Sequence, residues 1–545
     1  MNATKQGPGA VHRAVLPAVM LSLATVVSAV ASLNTAVPSI ARDTRAGLTE
    51  LSWIIDAYAL VFAALLLLGG AIGDRYGRRR ALAAGLVVFG AGSAAAALAG
   101  DPNWLIAMRG VLGVGAALVM PATLSTITST FPAAQRTRAV GAWAGVAGAS
   151  GIFGLLVSGT LLEFWSWRSV FWMNVVLAAV ALVATLAVVP ESAEPDAPRL
   201  DLTGALITVA GLGAGVYSII EAPTHGWASA RTLLGLAAAL AVLAGFVAWE
   251  LKRPNPLLDP RLFRIRAFSA GALTITLQFF AFFGFVFIIL QYLQLVKGDS
   301  ALVGAVSLLP MALTMMPFAR GVAPKLAARI GPRRVVTAGL LLVGVAMLVF
   351  SLLDEDSTYW LLLAGLIPFG AGMGLAMTPS TASITDALPA EKQGVGSAMN
   401  DLARELGGAL GIAVLGSLLQ SSYRANLDLG NLPGPAAEQA RTSVAVAMRL
   451  GPQAAGHART AFSDGLQTAF LTASIALAVT ALVVAALYRA PRREAARTVP
   501  APADQTAKLN APSNASPDGN VDGNANGSPD EGTGGRGEIR YTRQV

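Results

Sequence analysis

Residues 69–80 read GGAIGDRYGRRR, a run of glycines closed by one acid and four arginines. The chain before it, 52–73, and the chain after it, 80–99, are apolar. A helix needs about 20 apolar residues to cross the hydrocarbon of a bilayer. The motif is therefore expected to be a short turn at a membrane face, joining two spanning helices. Glycine allows a tight turn and a close approach of the two helices. Simple anchoring needs only the basic residues, so Asp74 sets this turn apart as a candidate working part.

The same shape recurs in the second half, where residues 324–334 read PKLAARIGPRR. Superposing Arg75 on Arg329 also brings Gly77 onto Gly331 and Arg79 onto Arg333. Outward from these turns, fourteen apolar segments are legible: roughly 14–38, 52–73, 80–99, 104–127, 139–162, 169–189, 201–220, 232–250, 269–293, 302–320, 334–353, 360–382, 396–420 and 466–488. The first is too long for a cleaved signal peptide and lacks a small-residue cleavage site. The expected fold is an all-α polytopic membrane protein of fourteen transmembrane helices: two six-helix pseudo-repeat bundles with a helical hairpin inserted between them. Its parts would be an N-terminal segment 1–13, a first bundle 14–190, the hairpin 200–250 and a second bundle 269–488. Within the second bundle, 421–465 reads as a long polar external loop, helical around 436–450. Parallel six-span repeats with a substrate site between them near the midplane are a transporter architecture.

Composition narrows the function. Of 545 residues, 54% are hydrophobic and 13% charged, with 3 His and no Cys. Soluble proteins carry about 25% charged residues, so a soluble enzyme, a disordered scaffold and a disulfide-built module are excluded. Without Cys there are no thiolate metal sites or thiol catalysis. His12, His225 and His457 fall outside the spans and form no His/acid cluster, so neither metal, cofactor nor enzyme chemistry is expected. The net charge of +8 sits in short runs between apolar stretches, as on a cytoplasmic membrane face, and no nucleic-acid partner is implied. No Lys follows a Gly, so there is no phosphate loop; an ion gradient is left as the energy source. Residues 490–545 are rich in Pro, Asn, Gly, Ser and Asp and read as a disordered cytoplasmic tail.

Orientation follows from Lys and Arg in short loops. With the N-terminus inside, that side holds Arg75, Arg78, Arg79, Arg80, Arg136, Arg138, Lys252, Arg253, Arg261, Arg264, Arg266, Lys325, Arg329, Arg333 and Arg334. The opposite loops hold scattered charges such as Arg42, Arg45, Arg168 and Lys297, and the acidic run 354–356. Both termini are expected in the cytoplasm of a bacterial cell.

Gly73-Asp74-Arg75-Tyr76-Gly77-Arg78-Arg79-Arg80 resembles the signature loop between helices 2 and 3 of the major facilitator superfamily. Residues 106–117, IAMRGVLGVGAA, resemble its helix 4 motif, and 33–40 (LNTAVPSI) and 53–58 (WIIDAY) resemble the 14-helix drug:proton antiporter branch. Residues 259–263, 308–310 and 406–407 agree in the second half. The resemblance spans about 14–488. It implies an exporter of amphipathic drugs, or of an antibiotic or other secondary metabolite, across the cytoplasmic membrane in exchange for protons. A proton-coupled importer is the alternative within transport; a membrane enzyme or sensor is a different class. The expected partners are a small amphipathic substrate, protons and the lipid bilayer, with the protein acting as a monomer.

Charges inside hydrocarbon cost about 2.5–3.5 kcal/mol each on insertion scales, and are functional candidates by default. Four stand out: Arg109, Asp56, and Asp401 with Glu405, which share a helix face at i,i+4 beside Arg404. The resemblance gives Arg109 a part in proton coupling; Asp56, then Asp401 and Glu405, are the acids expected to carry the proton. Gly73, Asp74, Arg75, Gly77, Arg78 and Arg79 form the expected conformational-switch loop, a latch that pairs internally and with helix ends of the other half. Asn34, Tyr58, Gln278, Phe282, Gln291 and Asn400 are expected in the substrate cavity, with Phe-rich segment 269–293 offering an aromatic wall to a flat ligand. The chain also departs from the family pattern. No acid stands near Ala29 or Met315, and Leu155 replaces the proline of the helix 5 motif. Few acids are thus left to replace the hydration of a substrate, which points to neutral molecules or monocations.

Overall fold

Inside a bilayer no water is available to the backbone, so each spanning segment must close its hydrogen bonds within itself. The computed structural model describes residues 8–194, 200–254, 256–388, 393–429 and 434–488, and among them fourteen helices are long and apolar enough to span. In the first half these are α1 (Pro8–Thr44), α2 (Leu48–Tyr76), α3 (Arg78–Ala97), α4 (Pro102–Thr130), α5 (Ala133–Phe164) and α6 (Arg168–Val188). The hairpin is α7 (Leu202–Ile220) and α8 (Ala230–Lys252). The second half comprises α9 (Arg266–Val296), α10 (Ala301–Ile330), α11 (Pro332–Phe350), α12 (Tyr359–Thr385), α13 (Gln393–Asn426) and α14 (Pro452–Leu487).

Side-chain caps start several of them. Asp101 accepts from Trp104 N at α4, Asp201 from Gly204 N at α7, and Ser300 from Val303 N at α10, each satisfying an amide that the helix cannot. The two basic turns are built alike. Gly77, between α2 and α3, has φ +115°, and Gly331, between α10 and α11, has φ +85°. Both are conformations that side chains with a Cβ rarely adopt. The sequence repeat is thus also a repeat of backbone geometry.

Packing repeats as well. In the first half α1 lies on α5 and α6, α2 on α4, and α3 on α4 and α6. In the second, α9 lies on α13 and α14, α10 on α12, and α11 on α12 and α14. Each pair reappears eight helices later. Between the halves, α7 packs on α8 and also on α2 and α13.

Two elements differ from the sequence reading. The tenth span is not one helix: Pro310, Pro317 and Pro324 interrupt it, with a π turn at Phe318–Val322. Proline removes an amide and clashes with the preceding turn, and a π turn absorbs the misfit. Residues 421–465 are not a long polar loop outside the bundle. Helix α13 runs to Asn426 and α14 begins at Pro452, with short helices Gly434–Thr442 and Val444–Ala447 between them. Ala440, Val444, Ala445 and Ala447 are buried, Tyr423 Oη donates to Ala440 O (2.9 Å), and Ser443 Oγ to Ala46 O (2.9 Å). The apolar residues hidden in this polar stretch fold it back as a cap over one end of the bundle. The expected tail, 490–545, lies outside the described residues.

Candidate functional site

Along α5, Gly141, Gly145, Gly148 and Gly159 fall on one face, since helical residues advance 100° each. At Gly159 this face is pressed against α10: a Cβ there would lie 3.0 Å from Leu302 Cα. Among the described residues, around Gly145 the same face meets only the tip of Arg320, 3.6 Å away, and at Gly141 and Gly148 nothing lies within 4 Å. The seam between the halves is thus closed at the capped end and splayed at the end bearing the basic turns. Other bonds across the seam cluster at the capped end: Gln294 Nε2 to Thr35 O (3.0 Å), Leu302 N to Glu163 Oε1 (3.2 Å), and Ser443 to Ala46. Gly154 also lets α5 reach α1 closely, since a Cβ there would strike Ser28 O. Helix α5 runs unbroken through Leu155, where the family pattern has proline.

At the splayed end the glycine–arginine turn grips its own half. Asp74 Oδ1 pairs with Arg78 Nη2 (2.8 Å), and Asp74 O accepts from Glu194 N (2.7 Å). Glu191 Oε1 accepts from Arg79 N (3.1 Å), Glu191 Oε2 lies 3.6 Å from Arg80 Nε, and Arg79 Nη2 donates to Leu186 O (2.7 Å). Gly77 sits against Glu191, whose carboxylate a Cβ at 77 would strike, and Gly73 O closes the turn by accepting from Gly77 N (3.0 Å). These bonds of Asp74, Arg78, Arg79 and Arg80 run to α2, α3, the end of α6 and the segment after it. Of the latch expected to reach the other half, Asp74, Arg78, Arg79 and Arg80 are thus held by bonds within the first.

Midway along the bundle, charged groups from both halves converge. Arg109 of α4 is buried; its Nε donates to Ile54 O (2.9 Å), and its guanidinium lies over the Tyr58 ring, 4.4 Å from the centroid. Its Nη1 and Nη2 have no hydrogen-bond partner among the described residues. Tyr58 then faces α13: with Val30, Ile55, Ala59, Phe283, Gly408, Ile412 and Glu405 it lines a narrow space, of the order of one water molecule. Glu405 Oε1 lies 3.5 Å from Arg404 Nη2, and Asp401 Oδ1 lies 3.9 Å from the same nitrogen. Arg404 reaches Met120 Sδ of the first half (3.9 Å) and the Phe279 ring (5.7 Å to the centroid). Arg109, Tyr58, Glu405, Arg404 and Asp401 thus form one line across the seam. Charge of both signs in low dielectric is tolerated when the groups compensate one another.

Asp56 is not on that line. It is fully buried on α2, and neither carboxylate oxygen has a hydrogen-bond partner among the described residues. The other predicted cavity residues are buried or half-buried and do not line the narrow space. Gln278 Nε2 donates to Met373 O (3.1 Å), and Asn400 Oδ1 accepts from Thr381 (2.9 Å), so both tie helices of the second half together. Phe282 packs on Phe369 of α12 (ring centroids 6.5 Å apart); the phenylalanine at the narrow space is Phe283. Asn34 and Gln291 bond to carbonyls of their own helices, each leaving its side-chain oxygen unpartnered. The remaining aromatic side of α9 is core, with Phe285 stacked on Phe350 (4.4 Å). In the sequence Phe283 is one of several phenylalanines of segment 269–293 with nothing to single it out, and Met120 carries no signal. Arg404 was legible by the same signal as its neighbours, a charge within an apolar span.

Comparison with known proteins agrees with this fold. The family model described as "Major Facilitator Superfamily" matches residues 19–412. The multidrug resistance protein Stp of Mycobacterium tuberculosis is 36% identical over 73% of this chain and 74% of its own length. The tetracenomycin C resistance and export protein of Streptomyces glaucescens is 32% identical over 89% of this chain and 92% of its own. The crystal structure of a bacterial homologue of the human lysosomal transporter Spinster shares the fold, with a TM-score of 0.62 at 16% identity, over 88% of this chain and 98% of that one.

Proposed function

The chain belongs to the Major Facilitator Superfamily, and on that premise we propose that it exports amphipathic drugs or an antibiotic-like metabolite in exchange for protons. It is a multi-pass membrane protein, and our reading places both termini in the cytoplasm. With that orientation, the splayed end of the seam opens to the cell interior, where an exporter collects its cargo. The observation that carries the proposal is the line of buried charge across the seam. Tyr58 and Arg109 come from one half and Glu405, Arg404 and Asp401 from the other, so a change in their charge state alters how the halves fit.

On α13 two acids, Glu405 and Asp401, share Arg404, so that helix offers a substrate at most a single formal negative charge, and Arg109 across the seam offsets it further. Asp56, sealed and unpartnered, is the acid assigned to the travelling proton, with Arg109 and Tyr58 relaying its state to the seam. The turn at 73–80 is assigned the role of latch. It holds the first half together while the cytoplasmic end is open and re-forms its bonds as that end closes. Each proton entering down 100 mV releases about 2.3 kcal/mol, enough for roughly a 50-fold substrate gradient.

The test is counterflow in inverted membrane vesicles energised to an acidic interior, with ethidium and tetraphenylphosphonium as probe cations. Antiport predicts probe uptake with loss of the proton gradient, abolished by Glu405→Gln. Substrate and protons moving in the same direction would establish an importer instead.

A further inference from the structure

The face that Asp56 occupies on α2 is defined by its neighbours. One turn toward the capped end, Ser52 Oγ lies 2.9 Å from where a Cβ on Gly416 of α13 would stand. One turn the other way, Leu60 packs with Val216 and Ile220 of α7 and Ala413 of α13. Trp53, on the same side, lies 6.0 Å from the Tyr217 ring of α7. Ile55, Tyr58 and Ala59, which line the narrow space near Glu405, lie about 100°, 160° and 60° around the helix from Asp56, all on the side away from Trp53. Asp56 therefore faces a seam walled by α2, α13 and the inserted α7, and not the cleft between the halves.

That seam carries its own polar stripe. Along α13, Ala413, Gly416, Ser417 and Gln420 fall on one face. Ser417 Oγ donates to Ile219 O of α7 (2.8 Å), and Ser421 Oγ accepts from Trp227 Nε1 just beyond α7 (2.9 Å). Gln420 is buried with its Oε1 unpartnered, as both Asp56 oxygens are. Buried acceptors without protein partners are sites that water fills where the surroundings are polar. At the capped end the stripe opens beside a titratable group of side chains. Arg231 Nη2 donates to Tyr217 Oη (3.0 Å), Arg231 Nη1 lies 2.7 Å from His225 Nε2, and His225 Nδ1 lies 3.9 Å from Glu221 Oε2.

The geometry points to this seam as the proton route to Asp56, with the inserted hairpin as its outer wall and the substrate cleft on the opposite side of α2. A proton from solvent at the capped end enters past Glu221, His225 and Tyr217 and passes Gln420 and Ser52 by way of water. It then forms an O–H bond on the Asp56 carboxylate, and it returns by breaking that bond. The other charged groups on the surrounding elements stand away from the route. Arg109 approaches α2 at Ile54 and Tyr58, and Glu405, Arg404 and Asp401 lie on α13 two to four turns toward the splayed end. Glu50 is engaged by the amide of Gly47 (2.8 Å). The hairpin is then a working part of the transporter that keeps cargo and proton on separate paths. This rests on the antiport reading and on Asp56 as its proton carrier.

The test follows the infrared C=O band of protonated Asp56 in the reconstituted full chain, identified by its loss in Asp56→Asn, and times its shift after transfer to heavy water. Gln420→Leu should slow this exchange at least tenfold, with Gln420→Glu restoring it, whereas Val30→Phe, which fills the narrow space by Glu405, should leave it unchanged. A second handle is Trp53→Cys with Tyr217→Cys in this cysteine-free chain: bridging the two thiols with a bifunctional methanethiosulfonate should slow exchange and reduction should recover it. Exchange slowed by Val30→Phe and untouched by both seam changes would overturn the proposal while leaving antiport standing. A wild-type spectrum without an Asp56-dependent band, together with unimpaired proton counterflow in Asp56→Asn, would overturn the proton-carrier assignment and the route with it.

Discussion

The guanidinium of Arg109 lies 4.4 Å over the ring of Tyr58, and the same Tyr58 borders the space beside Glu405 of the other half. The tyrosine is thus the piece through which a buried cation on α4 meets a buried acid on α13. Tyr58→Leu should remove an interaction of about 1 kcal/mol and reduce ethidium efflux at least tenfold. Tyr58→Phe keeps the ring and loses only the long bond to Val26 O (3.4 Å), so its thermal midpoint should stay within 1–2 °C of wild type, roughly the effect of a few tenths of a kcal/mol. Thermal unfolding in detergent and efflux from cells at matched expression measure the two effects.

The glycine face of α5 should respond oppositely at its two ends. Gly159→Leu forces a side chain into a contact that is already closed at 3.0 Å and should destabilise the protein by about 1–3 kcal/mol. Gly148→Leu meets nothing within 4 Å in this state, so its stability should match wild type. It should nonetheless abolish transport, because the splayed end can no longer close. Efflux paired with a thermal shift assay distinguishes a folding defect from a locked one.

For the turn at 73–80, the prediction concerns its fastening. Glu191 bonds to the amide of Arg79 and faces Arg80, so Glu191→Gln should loosen the turn and lower efflux several-fold. Asp74→Asn, which breaks the 2.8 Å pair with Arg78, should abolish net transport with probe binding retained. Equilibrium binding of ethidium to the purified variants, set against vesicle transport, checks both. Wild-type efflux in Asp74→Asn would reduce the turn to an anchor.

Orientation can be read with single cysteines, since the chain has none of its own. Arg441→Cys lies in the exposed face of the capping helix and Arg334→Cys beside the basic turn of the second half. In intact cells a membrane-impermeant maleimide should label the first and not the second. Labelling of Arg334→Cys alone would invert the topology.

Cargo charge follows from the acids present at the seam. Glu405 and Asp401 share Arg404, and an unpaired second positive charge in low dielectric would be very costly. Resistance in an efflux-deficient host should therefore extend to neutral lipophiles and monocations. Strong resistance to rigid dications with none to monocations would count decisively against this.

The sequence by itself determined the number of spans, the two basic turns, the repeat that relates them and the presence of costly charges at Asp56, Arg109, Asp401 and Glu405. These are local properties: a length of apolar chain, a glycine where φ is positive, a charge where hydrocarbon penalises it. Helix rotation was not legible. In a soluble protein one polar face tells which way a helix points, but here lipid and protein interior are equally apolar, so that signal is weak. Only packing decided that Phe283 and not Phe282 reaches the narrow space, that Gln278 and Asn400 bind helices together, and that Asp56 turns toward the inserted hairpin instead of the cleft. It also decided the capping segment at 434–447, whose few apolar residues are outnumbered along the chain and become a buried face only when Ala46 and Tyr423 are brought to meet them.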